Sequence, residues 1–130
     1  MKFTNSKTSE IFLNNQRYFV KRDDLLHSDF SGNKARKFYY FLKNDLQGIE
    51  KIISHGSNQS NAMYSLSVLC KLKNLKFDYY VSHLPDILSK NPNGNYKEAV
   101  KNGMNLIVSE IPNTFKENEL FISEGGAVKE

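Results

Sequence analysis

A lysine that follows Gly32-Asn33 and is itself followed by Arg36 and Lys37 has surroundings in which an amine becomes a nucleophile. Neighbouring cations and partial desolvation both favour loss of its proton. Lys34 also stands where an extended entry passes into a helix, and the start of a helix has free N–H groups that attract anions. A second stretch, Gly56-Ser57-Asn58-Gln59-Ser60-Asn61, joins a strand to a helix. Its backbone N–H groups and the Ser60 hydroxyl surround a space that suits a carboxylate or a phosphate. It is no Walker loop, since no Gly-Lys-Ser/Thr follows, and no dinucleotide fingerprint, since one glycine of three is present. Taken alone, the loop reads equally well as a polar N-cap by Ser or Asn, and Gly-Asn-Lys as a turn before a solvated lysine.

The elements that must position these residues alternate. Ile11-Phe12-Leu13 and Arg17 to Lys21 are β-prone runs around Asn14-Asn15-Gln16, which predicts a hairpin. Lys21 to Leu25 is charged, either a solvated loop or a network tying down the approach to Lys34. Helix formers with a wide apolar face run from Lys34 to Leu46 and stop at Gln47-Gly48. Lys51 to Ser54 reads as a strand, and Ala62 to Lys73 as a helix buried on most of its surface. Phe77 to Val81 reads as a strand, Asn91 to Gly94 as a turn, Asn95 to Asn102 as a helix stopped by Gly103, and Asn105 to Val108 as a strand. This order predicts an α/β chain with an open parallel sheet over residues 51 to 110, whose ligands bind beyond the carboxyl ends of the strands. Ile111 to Glu119 reads as a linker and Leu120 to Ser123 as a further strand entering Glu124-Gly125-Gly126.

Composition narrows the classes of function. With 39% hydrophobic and 25% charged residues in 130, the chain can build a modest core. The net charge of +4 is spread along the sequence and interleaved with Asp and Glu, so a nucleic-acid partner is not expected. No apolar run approaches a membrane span and the first residues are polar, which points to the cytoplasm and to no membrane partner. The lone Cys70 sits among leucines and valine and reads as a small buried hydrophobe. His27, His55 and His83 lack the clustered partners of a metal site, so no metal is expected.

Lys21 to Leu25, Gly32 to Lys37, Gly56 to Asn61 and Glu124-Gly125-Gly126, in that order, resemble the pyridoxal-phosphate enzymes of the 1-aminocyclopropane-1-carboxylate deaminase and D-cysteine desulfhydrase family. The resemblance runs from Phe19 to Gly126. It implies the tryptophan-synthase-β-like fold, called fold type II, a three-layer open parallel α/β sheet. Residues 1–50 would then be the amino-terminal part of the large cofactor domain, 51–110 the small α/β domain, and 111–130 a linker and return strand to the large domain. The carboxyl-terminal half would lie beyond these residues. The resemblance further implies that Lys34 is the Schiff-base lysine, with Lys37 facing the phosphate of pyridoxal 5'-phosphate. Ser60 would be the catalytic serine, Asn61 the partner of the cofactor ring hydroxyl, and Gln59, Ser60 and Asn61 the binders of the substrate carboxylate. The activity implied is conversion of a small amino acid, D-cysteine or 1-aminocyclopropane-1-carboxylate, to a 2-oxo acid and ammonia, by a homo-oligomer. Ser57 replaces a family glycine, and Ala62 replaces a family glutamine or histidine nearest the substrate, which leans the expectation towards D-cysteine. The competing expectation is a non-catalytic α/β anion-binding module or inactive remnant. The resemblance further implies that residues 51 to 110 should be the best ordered part, that the hairpin, the Lys34 helix and the strand near Ile122 should be short of partners, and that the 130 residues alone should be inert.

Overall fold

The computed structural model describes residues 5–30 and 32–126, and the structural statements below concern these. Ser31, next to the Lys34 stretch, lies outside them. Strands β1 (Thr8–Leu13) and β2 (Gln16–Lys21) form the expected antiparallel hairpin, with Ile11 opposite Tyr18. Asn14 and Asn15 take φ of 49° and 61°. Asparagine tolerates this left-handed region better than other non-glycine residues, and two such residues in a row match the twist of a tight hairpin. Every residue of β2 is exposed. The ribbon carries its own contacts, a Glu10–Arg17 ion pair at 2.8 Å and the Arg17 guanidinium 4.7 Å from the Phe19 ring centre.

A 3-10 turn at Asp23–Leu25 leads into helix α1 (Gly32–Lys43). The charges before it form a network. Asp23 accepts from Arg36 Nη2 at 2.7 Å and from Ser6 Oγ at 2.6 Å, which holds its carboxyl well below the usual carboxylate range, Arg36 being the larger cause. The exit of the hairpin is thereby tied to the helix that carries Lys34. Ala35, Phe38 and Phe41 form the buried face of α1, at the spacing of successive turns.

The remaining elements are β3 (Lys51–His55), α2 (Asn61–Lys73), β4 (Lys76–Val81), the short α3 (Asp86–Lys90), α4 (Gly94–Lys101), β5 (Met104–Val108) and β6 (Glu119–Ile122). The four strands make one parallel sheet in the order β5-β4-β3-β6. This is the expected α/β arrangement with an open parallel sheet. Helices α2 and α4 pack together and on the strands, and α1 rests on α2. Eight residues of α2 are buried, which is why its sequence has almost no polar face. Cys70 is among them, 2% exposed, and burial pushes its thiol up, as a small core hydrophobe requires.

Side chains alternate across the sheet. Ile52, Phe77, Tyr79, Val81, Met104 and Ile122 join one core with Phe38, Met63, Leu66 and Leu69. Between them stand Lys51, Asp78, Asn105 and Glu119. Lys51 Nζ bridges Asp78 at 2.8 Å and Glu119 at 3.4 Å, and Asn105 Nδ2 donates to Asp78 at 2.9 Å. One element and one pairing go beyond the sequence reading. The five-residue α3 lies between Val81 and Asn91, where no element is predicted. The strand near Ile122 is not short of partners: β6 pairs with β3, Leu120 beside Ile52 and Ile122 beside Ser54, because its alternate apolar residues extend the buried face. No described helix is long and apolar enough to cross a membrane.

Candidate functional site

The carboxyl ends of neighbouring β3 and β6 bring the sequence stretches singled out for chemistry together. Strand β3 runs into Gly56–Ser60 and α2, and β6 runs into a 3-10 turn at Glu124–Gly126 that touches both α1 and α2. Lys34, half-buried in the first turn of α1, reaches this turn and donates from Nζ to the Gly125 carbonyl at 3.0 Å. One lysine amine therefore meets the element that also lies against the start of α2. Lys37, one turn further along α1, is exposed.

Ser60 is the N-cap of α2, its extended backbone (φ −63°, ψ 132°) placing Oγ to accept from the N–H groups of Ala62 and Met63 at 3.1 and 3.3 Å. The polar-cap reading of this loop is what the geometry contains. Asn61, exposed, starts the helix itself. Gln59 is committed elsewhere. Its Nε2 donates to the Asn93 carbonyl at 3.2 Å and its Oε1 accepts from Tyr96 N–H at 3.3 Å, so it caps α4, whose own N-cap Asn93 makes no such side-chain bond. The contact needs Gly94: a Cβ there, at φ 57°, would stand 2.6 Å from Gln59 Oε1.

Beneath the loop lies Tyr79, which the sequence marked only as part of a strand. Its side chain is buried, and Oη donates to the Ser57 carbonyl at 3.1 Å. Burial pushes the phenol up to about 12, the Ser60 hydroxyl pulling the other way and the Glu124 carboxylate adding to the rise. A Cβ at Gly56, whose φ is 144°, would stand 2.6 Å from Tyr79 Oη and 3.1 Å from Glu124 Oε1. Tyrosine, glycine and glutamate thus fix the loop from below and from the side. The signal was available in part, since Phe77, Tyr79 and Val81 alternate inward and a buried phenol needs a partner. Glu124 N–H donates to His55 Nε2 at 3.3 Å. An open cleft of about 670 Å³ continues the site over the strand ends, lined by His55, Gly56, Ser57, Tyr80, Glu110 and Glu124 among others.

No protein-family model and no curated protein matches the chain. Among solved structures, a hydrogen sulfide-producing enzyme from Fusobacterium nucleatum is similar over 93% of this chain and 36% of its own, at 12% identity and a TM-score of 0.46. The chain spans about a third of that enzyme's length.

The residues at the site fit part of a pyridoxal-phosphate pocket. An amine is held on a carbonyl where no carboxylate among the described residues pairs with it, and a hydroxyl and a carboxamide stand at a helix start. The phosphate end is less provided for: α1 offers the exposed Lys37, and Arg36 is taken by Asp23.

Proposed function

We propose that this chain supplies the lysine-bearing part of a pyridoxal-phosphate-dependent lyase or deaminase of the 1-aminocyclopropane-1-carboxylate deaminase and D-cysteine desulfhydrase family, with fold type II. The observation that carries the reading is the Lys34 Nζ contact to Gly125 across 91 residues, because it joins two of the stretches that carry the resemblance at the start of α2, where the third lies. In this reading residues 1–50 belong to the larger cofactor domain, 51–110 to the small domain, and 111–130 lead back towards the large one. A second copy of the chain completes a homo-oligomer in the cytoplasm.

Bound here, pyridoxal phosphate would supply an electron sink for the pair released from the substrate Cα. Lys34 holds the cofactor and carries the proton to and from that carbon, a task suited to an amine that ionises reversibly. Lys37 faces the phosphate, Asn61 donates to the ring oxygen, and Ser60 with the main chain of Gln59 to Asn61 receives the substrate carboxylate. The Gln59 side chain serves by clamping the loop to α4. The substrate favoured is D-cysteine, which with one water gives pyruvate, hydrogen sulfide and ammonia.

In the complete enzyme to which this chain would contribute Lys34, added pyridoxal 5'-phosphate should give a visible absorbance band, and borohydride should fix the cofactor on Lys34, read by peptide mass. A colourless protein, or a label on another lysine, removes the reading. The second reading, an inactive remnant in which Ser60 serves only as a helix cap, is favoured by the commitment of Ser60 Oγ to the Ala62 and Met63 N–H groups. It is supported instead if no cofactor is fixed and Ser60→Ala lowers stability alone.

A further inference from the structure

Asn95 lies in the first turn of α4, half-buried, immediately after the glycine that Gln59 approaches. Its Nδ2 donates to two oxygens at once, the backbone carbonyl of Gln59 at 3.0 Å and the side-chain Oδ1 of Asn61 at 2.9 Å. A backbone carbonyl can only accept, so the Asn95 atom that faces it is the nitrogen. The Asn61 atom that faces the same nitrogen must then be the oxygen. The orientation of the Asn61 carboxamide follows from this pair of contacts. Its Oδ1 is turned towards α4, and its Nδ2, with two hydrogens, is turned away from α4 at the exposed start of α2 and bonds none of the described residues.

We propose that Asn95 is a positioning residue that makes Asn61 a hydrogen-bond donor towards the ligand. With Asn61 Nδ2 outward at the positive end of the α2 dipole, this corner offers hydrogens and selects groups that accept them, carboxylate, phosphate or phenolate oxygens, over an ammonium. The Gln59 bonds to Asn93 and Tyr96 hold the two helix starts at the distance that lets one carboxamide reach both oxygens. The proposal rests on the functional reading above, since the ring oxygen of pyridoxal phosphate and the carboxylate of an amino acid are acceptors of this kind.

Two measurements on the full chain test it. The first, independent of any ligand, is hydrogen exchange of the side-chain carboxamide protons by ¹⁵N NMR. The Asn95 pair should be protected and the Asn61 pair should exchange freely; protection of the Asn61 pair instead means the reverse orientation and overturns the proposal. The second is titration with pyridoxal 5'-phosphate, followed by absorbance and by borohydride trapping on Lys34. Asn95→Asp cannot donate and draws Asn61 Nδ2 to itself, so affinity should fall about tenfold, the worth of one hydrogen bond. That loss should vanish in an Asn61→Ala background. A tenfold loss that persists there shows that Asn95 does not act through Asn61 and overturns the proposal. A chain that takes up no cofactor yet shows the expected exchange pattern rejects the functional reading and leaves the orientation set by Asn95 supported.

Discussion

The β1–β2 hairpin and the β3–β6 sheet are both built from strands of four to six residues, yet they are held in opposite ways. In the hairpin each strand finds its partner two residues away, through a turn whose asparagines accept left-handed backbone, and the side chains remain in water. In the sheet β3 pairs with strands that begin 21 and 64 residues after its own last residue, and Ile52 and Ile122 are wholly removed from solvent. Local chemistry specifies the first, and burial specifies the second. Helix α1 stands between them: its approach is fastened by the Asp23–Arg36 pair, and its body is fastened by Phe38 in the core.

The sharpest way to break the contrast is to hollow the junction. Phe38→Ala should lower stability by about 3–5 kcal/mol, the usual cost of a large core cavity, and denaturant unfolding should show it while the hairpin's internal contacts persist. Next in size, Gly56→Ala should cost about 1–3 kcal/mol through its positive φ and the contact with Tyr79 Oη. Tyr79→Phe, alone worth about 1 kcal/mol through the lost bond to Ser57, should offset part of that cost when combined. Simple addition of the two effects would show that the hydroxyl does not shape the loop. Smallest of all, Phe19→Ala on the exposed ribbon should change stability by less than about 0.5 kcal/mol, as surface substitutions do. A loss of several kcal/mol there would mean that the ribbon is covered in solution.

The same contrast explains what was legible in the sequence. Asn14-Asn15, the apolar spacing of α1 and the glycine stops are local signals, so the hairpin, α1, α2 and the three strands from Lys51 to Val108 could be read directly. The strand at Glu119–Ile122 was legible as a strand, but its place beside β3 depends on partner residues 68 positions away that no local pattern encodes. Helix α3 has five residues and no side-chain cap, too little for a periodic signal. Within the site, Lys34 and Ser60 stood out by type and by neighbouring glycines. The commitment of Gln59 to α4, the grip of Asn95 on Asn61 and the phenol under the loop did not, because each is a contact between elements whose approach only the fold defines.

The bond from Lys34 to Gly125 has a consequence for the order in which this protein comes into being. It closes a span of 91 residues, so most of the chain must be synthesised and laid down before the amine meets its carbonyl. Contacts between distant residues carry the largest loop-closure entropy and tend to form late. During translation, and in any refolding species where only β3, β4 and β5 have assembled, Lys34 Nζ has no Gly125 carbonyl to meet. The contact forms only once β6 takes its place.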